Sequence, residues 1–148
     1  MKILRYLSIV SLVIILASCE SKTFLRSKKK LNSDLQGRWH PIAGTSKYGS
    51  TLYNQNQNVQ WLFEDGAIKI VQVDGSGNDH QLDKGTYSIS TKIDNCFLAI
   101  SNLTSRDYDT TFAFNVKWTI IQLNGSILDI AGRPNDGGMV ELEFEKKN

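Results

Sequence analysis

The sequence predicts an all-β domain in which eight antiparallel strands close into an up-and-down barrel. From residue 36 onward, short segments with alternating apolar and polar residues recur along the chain. Turn sequences separate these segments, and Glu64-Asp65-Gly66 and Asn124-Gly125 are the clearest hairpin signals. Eight such strands form either a barrel or a sandwich, and we favour the barrel because closure removes exposed strand edges.

Eight segments carry the strand pattern. The second segment places Val59, Trp61 and Phe63 on one face, and the last alternates apolar residues with Glu141, Glu143 and Glu145. Charges on the outer face exclude a transmembrane barrel. No segment has convincing helical periodicity, so we expect no helix. We place the strands at residues 36–42, 59–64, 67–73, 85–90, 95–101, 111–123, 126–131 and 139–144.

Residues 1–18 have the features of an export signal. Lys2 and Arg5 precede an apolar run over residues 7–16, and small residues follow. The run is shorter than the roughly 20 apolar residues of a membrane-spanning helix. Cleavage after residue 18 would leave 130 residues, which is enough for one domain.

The four residues Leu16-Ala17-Ser18-Cys19 resemble the lipobox of bacterial lipoproteins. The resemblance implies cleavage before Cys19 and its acylation by fatty acids such as palmitate. Two or more acyl chains hold a protein stably in a bilayer. We therefore expect a cell-envelope protein anchored to a membrane through Cys19, and we favour the outer membrane. An ordinary cleaved signal, which would leave a soluble secreted protein, is the alternative.

The remaining chain divides by charge into a tether and a domain. Residues 19–33 contain five basic residues and one acidic residue, whereas residues 34–148 contain 10 basic and 14 acidic residues. We interpret residues 19–33 as the lipidated cysteine with a flexible basic tether, and residues 34–148 as the barrel domain. The tether is either attracted to anionic lipid head groups or a solvated spacer. A basic run this short, outside any known binding fold, argues against nucleic acid as a partner.

Motifs that would indicate catalysis or a cofactor are absent from the sequence. No G-x-S-x-G elbow, P-loop or H-E-x-x-H occurs, so we expect neither an enzyme nor a cofactor. His40 and His80 have no partners at metal-binding spacing and are expected on the surface. We interpret residues 74–79 as a hairpin loop rather than a calcium loop. Cys96, beside apolar neighbours, is expected to be a small buried residue.

Short motifs in a fixed order resemble the lipocalin-like domains of small bacterial lipoproteins. They cover most of residues 35–146 and comprise Gly37-Arg38-Trp39, Phe63-Glu64-Asp65-Gly66, Gly85-Thr86-Tyr87 and the segment from Trp118 to Gly125. The resemblance implies a barrel whose mouth takes a small apolar ligand. Lipocalins also place an arginine late in the barrel across the opening tryptophan. The only late arginine here is Arg133, in a loop before the last strand.

The leading functional hypothesis is a barrel that binds a small apolar molecule or lipid. We expect ligand contacts from Trp61, Phe114 and Val116, with Trp39 and Trp118 as structural core residues. The alternative is a filled barrel that binds a protein, as an envelope accessory or inhibitor, through loop 43–58. That loop carries Tyr48 and Tyr53, and aromatic residues exposed on loops favour protein contacts.

Overall fold

The computed structural model describes residues 26–46, 58–104, 114–133 and 138–147. Eight antiparallel strands close into a barrel, because each strand pairs with its neighbour in the chain and the last pairs with the first. This confirms the predicted up-and-down barrel. The strands are β1 (Gly37–Ser46), β2 (Val59–Glu64), β3 (Ala67–Val73), β4 (Asp79–Thr91), β5 (Cys96–Ser101), β6 (Lys117–Leu123), β7 (Ile127–Gly132) and β8 (Val140–Lys147).

A short helix, α1 (Lys28–Leu35), corrects the expectation that the chain forms no helix. Ser27 is its N-cap, and the Ser27 hydroxyl accepts a hydrogen bond from Lys30 N at 3.2 Å. Leu31 and Leu35 lie one turn apart on the same face, and both side chains are fully buried. Because Leu31 is buried, the packed part of the chain begins before Asp34, although residues 28–33 are predicted to belong to the tether.

Two strands begin six residues away from the prediction, whereas the other six begin within one residue of it. β4 starts at Asp79 rather than residue 85, because its polar first residues hide the alternating pattern. β6 starts at Lys117 rather than residue 111. Asn115 lies outside the strand because its side chain accepts from Leu103 N at 2.9 Å and donates to Leu103 O at 2.8 Å. Residues 111–113 lie outside the described ranges.

Both predicted hairpins form, but with different turns. Asp65 and Gly66 have φ values of 43° and 86°, as the two-residue turn between β2 and β3 requires. Asn124 and Gly125 are not among the described residues with positive φ. Instead the Asn124 side chain accepts from Ser126 N at 2.8 Å and Ile127 N at 2.7 Å, so residues 124–126 form the loop.

The strand order gives the barrel two different ends. We call the end that carries α1 the closed end, and it also holds turns 65–66, 92–95 and 124–126. We call the opposite end the open end because no described helix lies there, and it holds turn 74–78. Strands β1 and β2, β5 and β6, and β7 and β8 are also joined there, through residues that include 47–57, 105–113 and 134–137, which lie outside the described ranges. The three turns of the closed end and helix α1 all lie within the described ranges.

Candidate functional site

The closed end is sealed by helix α1 and a tryptophan. Trp39 is fully buried, and its indole Nε1 donates to Leu35 O at 2.7 Å. Lys146, the β8 partner of Trp39, lies with its Nζ 5.1 Å from the Trp39 ring centroid. The same Nζ donates to Asp34 O at 3.0 Å, and burial lowers the pKa of Lys146. Helix, indole and ammonium therefore form one plug.

This plug shows which residue lies across the opening tryptophan. Arg133 was the only late arginine in the sequence, but it lies exposed just after β7, at the open end. Lys146 provides the cation at the closed end instead. The alternation of Val140, Leu142 and Phe144 places residue 146 on the same inward face. That periodicity is the sequence signal that identifies Lys146.

Two motif positions of the family resemblance have structural roles in the barrel wall. A Cβ atom at Gly85 would lie 2.5 Å from Ser101 O, so only glycine allows β4 to approach the end of β5 this closely. The Tyr87 hydroxyl accepts from Gln36 Nε2 at 2.6 Å, beside the C-terminus of α1. Its ring meets Phe63 edge to face, with the centroids 5.1 Å apart. These residues fix the wall and the plug rather than a binding site.

Four aromatic rings, which we call the aromatic cluster, occupy the barrel interior: Trp61, Phe114, Trp118 and Phe144. The centroid of Trp61 lies 5.1 Å from that of Phe114 and 4.9 Å from that of Phe144. Trp118 stacks on Phe114 at 6.5 Å, and its Nε1 donates to Phe114 O at 3.3 Å. Phe114 leads into β6 from the open end. The cluster therefore connects the middle of the barrel to that end.

The structure brings together the three residues expected to contact a ligand. Trp61 and Phe114 touch within the cluster, and Val116 is half-buried and packs against the same core. Trp39 and Trp118, expected as structural residues, are fully buried. Sequence reasoning missed Phe144 as a cluster member, although the apolar alternation of β8 places it on the inner face.

Trp61 also carries an unsatisfied polar atom. Its side chain is fully buried, yet its indole Nε1 has no hydrogen-bond partner among the described residues. The other two tryptophans each donate to a backbone carbonyl. An unsatisfied buried donor costs about 1–3 kcal/mol, and such groups are rare in folded proteins. No sequence signal distinguishes this tryptophan from the others.

Hydrogen bonds at the open end fix both sides of the connection between β5 and β6. Asn115 bonds to both backbone polar groups of Leu103. The buried Asp83 carboxylate accepts from Thr104 N at 3.0 Å and Lys84 N at 2.8 Å. Of the predicted protein-binding loop 43–58, residues 43–46 belong to β1. Tyr48 and Tyr53 lie outside the described residues.

The histidines and the 74–79 loop form hydrogen bonds within the protein. The Asp74 carboxylate accepts from Asn78 N and Ser76 N, both at 2.8 Å, and lies 3.0 Å from His80 Nε2. These bonds, led by that from Asn78, hold the pKa of Asp74 well below its usual range. His80 is exposed as expected, whereas His40 is half-buried with Nδ1 3.0 Å from Val59 O. Within the described ranges no group of three His, Cys, Asp or Glu side chains could hold a metal.

Cys96 is 1 % exposed, which confirms the expectation of a small buried residue. Burial raises the pKa of its thiol, so the thiol is protonated at neutral pH and a weak nucleophile. Outside the barrel, a groove of about 730 Å³ lies between α1 and β4. The Tyr87 hydroxyl in its wall already accepts a hydrogen bond from Gln36.

Comparison with known proteins identifies two solved structures of similar fold. A lipocalin-like protein from Bacteroides uniformis has a TM-score of 0.53 at 18% identity, covering 77% of this chain and 99% of that one. An uncharacterized protein from Bacteroides eggerthii has a TM-score of 0.53 at 12% identity, covering 76% of this chain and 99% of that one. No family model and no curated protein matches the chain. Among the described residues, no helix is long and apolar enough to cross a membrane. The two likenesses show that the chain has a lipocalin-like barrel fold.

Proposed function

We propose that the chain is a lipid-anchored protein of the cell envelope whose barrel binds a small, uncharged apolar molecule through the open end. The unpartnered, fully buried Nε1 of Trp61 is the observation that carries the ligand-binding part. A ligand with one acceptor oxygen, such as a ketone, an ester or an alcohol, would satisfy that donor. The surrounding rings of Phe114 and Phe144 would contact its apolar part.

The surroundings of Trp61 favour an uncharged ligand over a fatty acid anion. None of the described core residues packed with Trp61 is cationic, and Lys146 lies at the closed end with its ammonium donating to Asp34 O. A buried carboxylate without a charged partner is strongly disfavoured. One indole N–H supplies a single hydrogen bond, which suits a neutral acceptor. We propose that Trp61, Phe114 and Val116 contact the ligand.

Two naphthalene probes test this site. Prodan is neutral and carries a ketone, whereas N-phenyl-1-naphthylamine is neutral and has no acceptor oxygen. Trp61→Phe should weaken prodan binding by up to about tenfold, the value of one hydrogen bond, and leave the second probe unchanged. Trp118→Phe is the matched control, because the Trp118 Nε1 already donates to Phe114 O. It should not discriminate between the probes.

The outcome also decides between the two hypotheses of function. Organic extraction of the protein purified from its native host, followed by mass spectrometry, should identify a neutral apolar molecule in stoichiometric amount. If neither probe binds and no molecule co-purifies, the barrel is filled and ligand binding is wrong. The protein-binding hypothesis, with loop 43–58 as the contact surface, would then be the one to pursue.

The lipid anchor is a separate part of the proposal. Its support is the lipobox resemblance of Leu16-Ala17-Ser18-Cys19. Mass spectrometry of the mature N-terminal peptide should find Cys19 as the first residue, with acyl chains attached. Cys19→Ser should abolish labelling by radioactive palmitate and release the protein from the membrane fraction. Separation of inner and outer membranes by density then tests the proposed outer-membrane location.

A further inference from the structure

The turn between β4 and β5 presents an apolar side chain to solvent. Ile93 is 90% exposed, compared with 48% for Ile121 and 43% for Met139. The turn is closed by a hydrogen bond from Lys92 N to Asn95 O at 2.8 Å. A single exposed isoleucine is common on protein surfaces and needs no explanation by itself. Ile93 is of interest because it lies close to the N-terminal segment and to several basic side chains.

Ile93 lies at the end of the barrel where the N-terminal segment arrives. Turn 92–95 belongs to the closed end, together with α1. Arg26, just before α1, donates to Leu123 O in β6 and pairs with Asp34. Arg26 is also close enough to Cys96, which directly follows the turn, to oppose the rise in its thiol pKa. The chain therefore joins the barrel next to the turn that carries Ile93.

Basic side chains without ionic partners share this end. Lys28 and Lys29 in α1 and Lys92 beside Ile93 are exposed, and none forms an ion pair with a described residue. Lys30 differs, because its Nζ lies 2.9 Å from the Asp34 carboxylate. Ile93 lies between Lys92 and Asp94 in its turn, and the exposed carboxylates of this end include Asp94 and Asp65. The apolar tip and the three lysines are complementary to an anionic bilayer surface, where Ile93 would enter the apolar interface and the lysines would lie at the phosphate groups.

The length of chain before Arg26 limits the distance between this end and an anchor at Cys19. Seven residue steps separate Cys19 from Arg26. A fully extended chain spans at most about 3.6 Å per residue, so the separation is at most about 25 Å. A lipidated Cys19 would hold the closed end near the membrane at all times. The open end, on the far side of the barrel, would face away from it.

We propose that the closed end is a membrane-docking surface, in which Ile93 enters the interface of an anionic bilayer while Lys28, Lys29 and Lys92 contact its head groups. This inference rests on the lipid anchor of the proposed function and is independent of ligand binding. Each lysine close to an anionic surface strengthens the contact about fivefold. Docking holds the barrel upright, with the open end turned toward the solvent side.

A fluorescent label at position 93 tests this orientation in the acylated full chain. Ile93→Cys is labelled with nitrobenzoxadiazole (NBD) in vesicles of phosphatidylcholine with an equal part of phosphatidylglycerol. Cys96 is 1% exposed and Cys19 would be acylated, so the label reports position 93 alone. Its emission should shift to the blue and intensify relative to the detergent-solubilised protein. Met139→Cys, at the open end, is the matched control and should emit as in water.

A charge variant tests the role of the lysines. Replacing Lys28, Lys29 and Lys92 by glutamine should lower the ratio of docked to undocked protein by up to about a hundredfold in the anionic vesicles. The chain with its three lysines intact should show the same loss of docked protein in vesicles of phosphatidylcholine alone. Equal emission from labels at positions 93 and 139 would overturn the docking surface. Flotation reports the anchor separately, since a chain without acyl groups would not float with the vesicles.

Discussion

Alanine substitutions at three glycines are expected to change stability in an order that the structure fixes. A Cβ atom at Gly85 would lie 2.5 Å from Ser101 O. A Cβ atom at Gly132 would lie 2.8 Å from Trp118 Cε3, whereas one at Gly125 meets nothing within 4 Å. None of the three glycines has a positive φ, so the added methyl group causes no backbone strain of its own.

The magnitudes follow from what each new methyl group must displace. In open space, glycine to alanine stabilises by about 0.5 kcal/mol because the unfolded chain loses freedom, which is the expectation for Gly125→Ala. Overpacking a buried site costs about 1–3 kcal/mol, and the Trp118 ring that the new methyl group meets is fully buried, so Gly132→Ala should cost about 2 kcal/mol. At Gly85 the obstacle is backbone of the paired strand β5, so Gly85→Ala should cost about 3 kcal/mol or more.

Urea unfolding, followed by circular dichroism and tryptophan fluorescence, measures these differences. The three variants should keep the parent slope against urea and differ only in the midpoint. If Gly132→Ala were as stable as Gly125→Ala, the Trp118 ring would have room to move and the interior would contain a void there. If Gly85→Ala were the most stable, the account of the G-x-Y motif as a close approach of strands would be wrong.

Three further predictions concern the outer wall and the plug. Burial, with two acidic β8 neighbours, raises the pKa of Asp129 from 3.8 to about 6. The unfolding free energy should therefore fall as pH rises through this window, since the folded state holds the proton more tightly than the unfolded state. The largest loss of unfolding free energy that this pKa shift allows is about 3 kcal/mol, and partial solvent exposure reduces the expected loss to about 1 kcal/mol. A pH series of urea titrations measures this loss, and Asp129→Asn should abolish it. Leu31→Ala should lower the unfolding free energy by about 3 kcal/mol in the same assay, because the side chain is fully buried. Lys29→Ala, on the exposed face of α1, should change it by no more than about 0.5 kcal/mol. Equal effects would mean that α1 is not part of the folded unit. Lys146→Met should cost about 1–2 kcal/mol through the lost hydrogen bond to the helix, and Lys147→Met, which removes an exposed ion pair, should cost less than Lys146→Met.

The elements that the sequence predicts well are those in which local pattern and tertiary packing agree. The hairpin of β2 and β3 was placed correctly at both ends, because alternation stops at an Asp-Gly pair that requires positive φ. Helix α1 was missed because only Leu31 and Leu35 are apolar, and two residues do not establish a 3.6-residue period. Its position depends on packing against the end of the barrel, where Trp39 bonds to Leu35 O, and that surface exists only after the barrel has closed.

The candidate site could be predicted from the sequence only where it depends on local pattern rather than on tertiary packing. Trp61 lies on the apolar face of its predicted strand, Phe114 and Val116 lie on the apolar face of theirs, and the structure packs the three in one core. The unpartnered Nε1 of Trp61 could not be predicted, because hydrogen bonding depends on which carbonyls the fold brings near. No role is predicted for Lys146 from the sequence because the predicted last strand ends at residue 144, whereas β8 extends to Lys147 and its period turns Lys146 inward.

The residues that make this chain resemble a lipocalin-like domain are mostly not those that would recognise a ligand. Trp39 and Tyr87 bond to the helix and to the residue that follows it, and Gly85 allows two strands to approach. Any barrel closed in this way needs such residues, whatever it holds inside. The motifs therefore predict the fold and carry no information about a ligand. The proposed ligand binding depends instead on the donor of Trp61, which is why the probe experiment varies the acceptor of the ligand and the donor of the protein together.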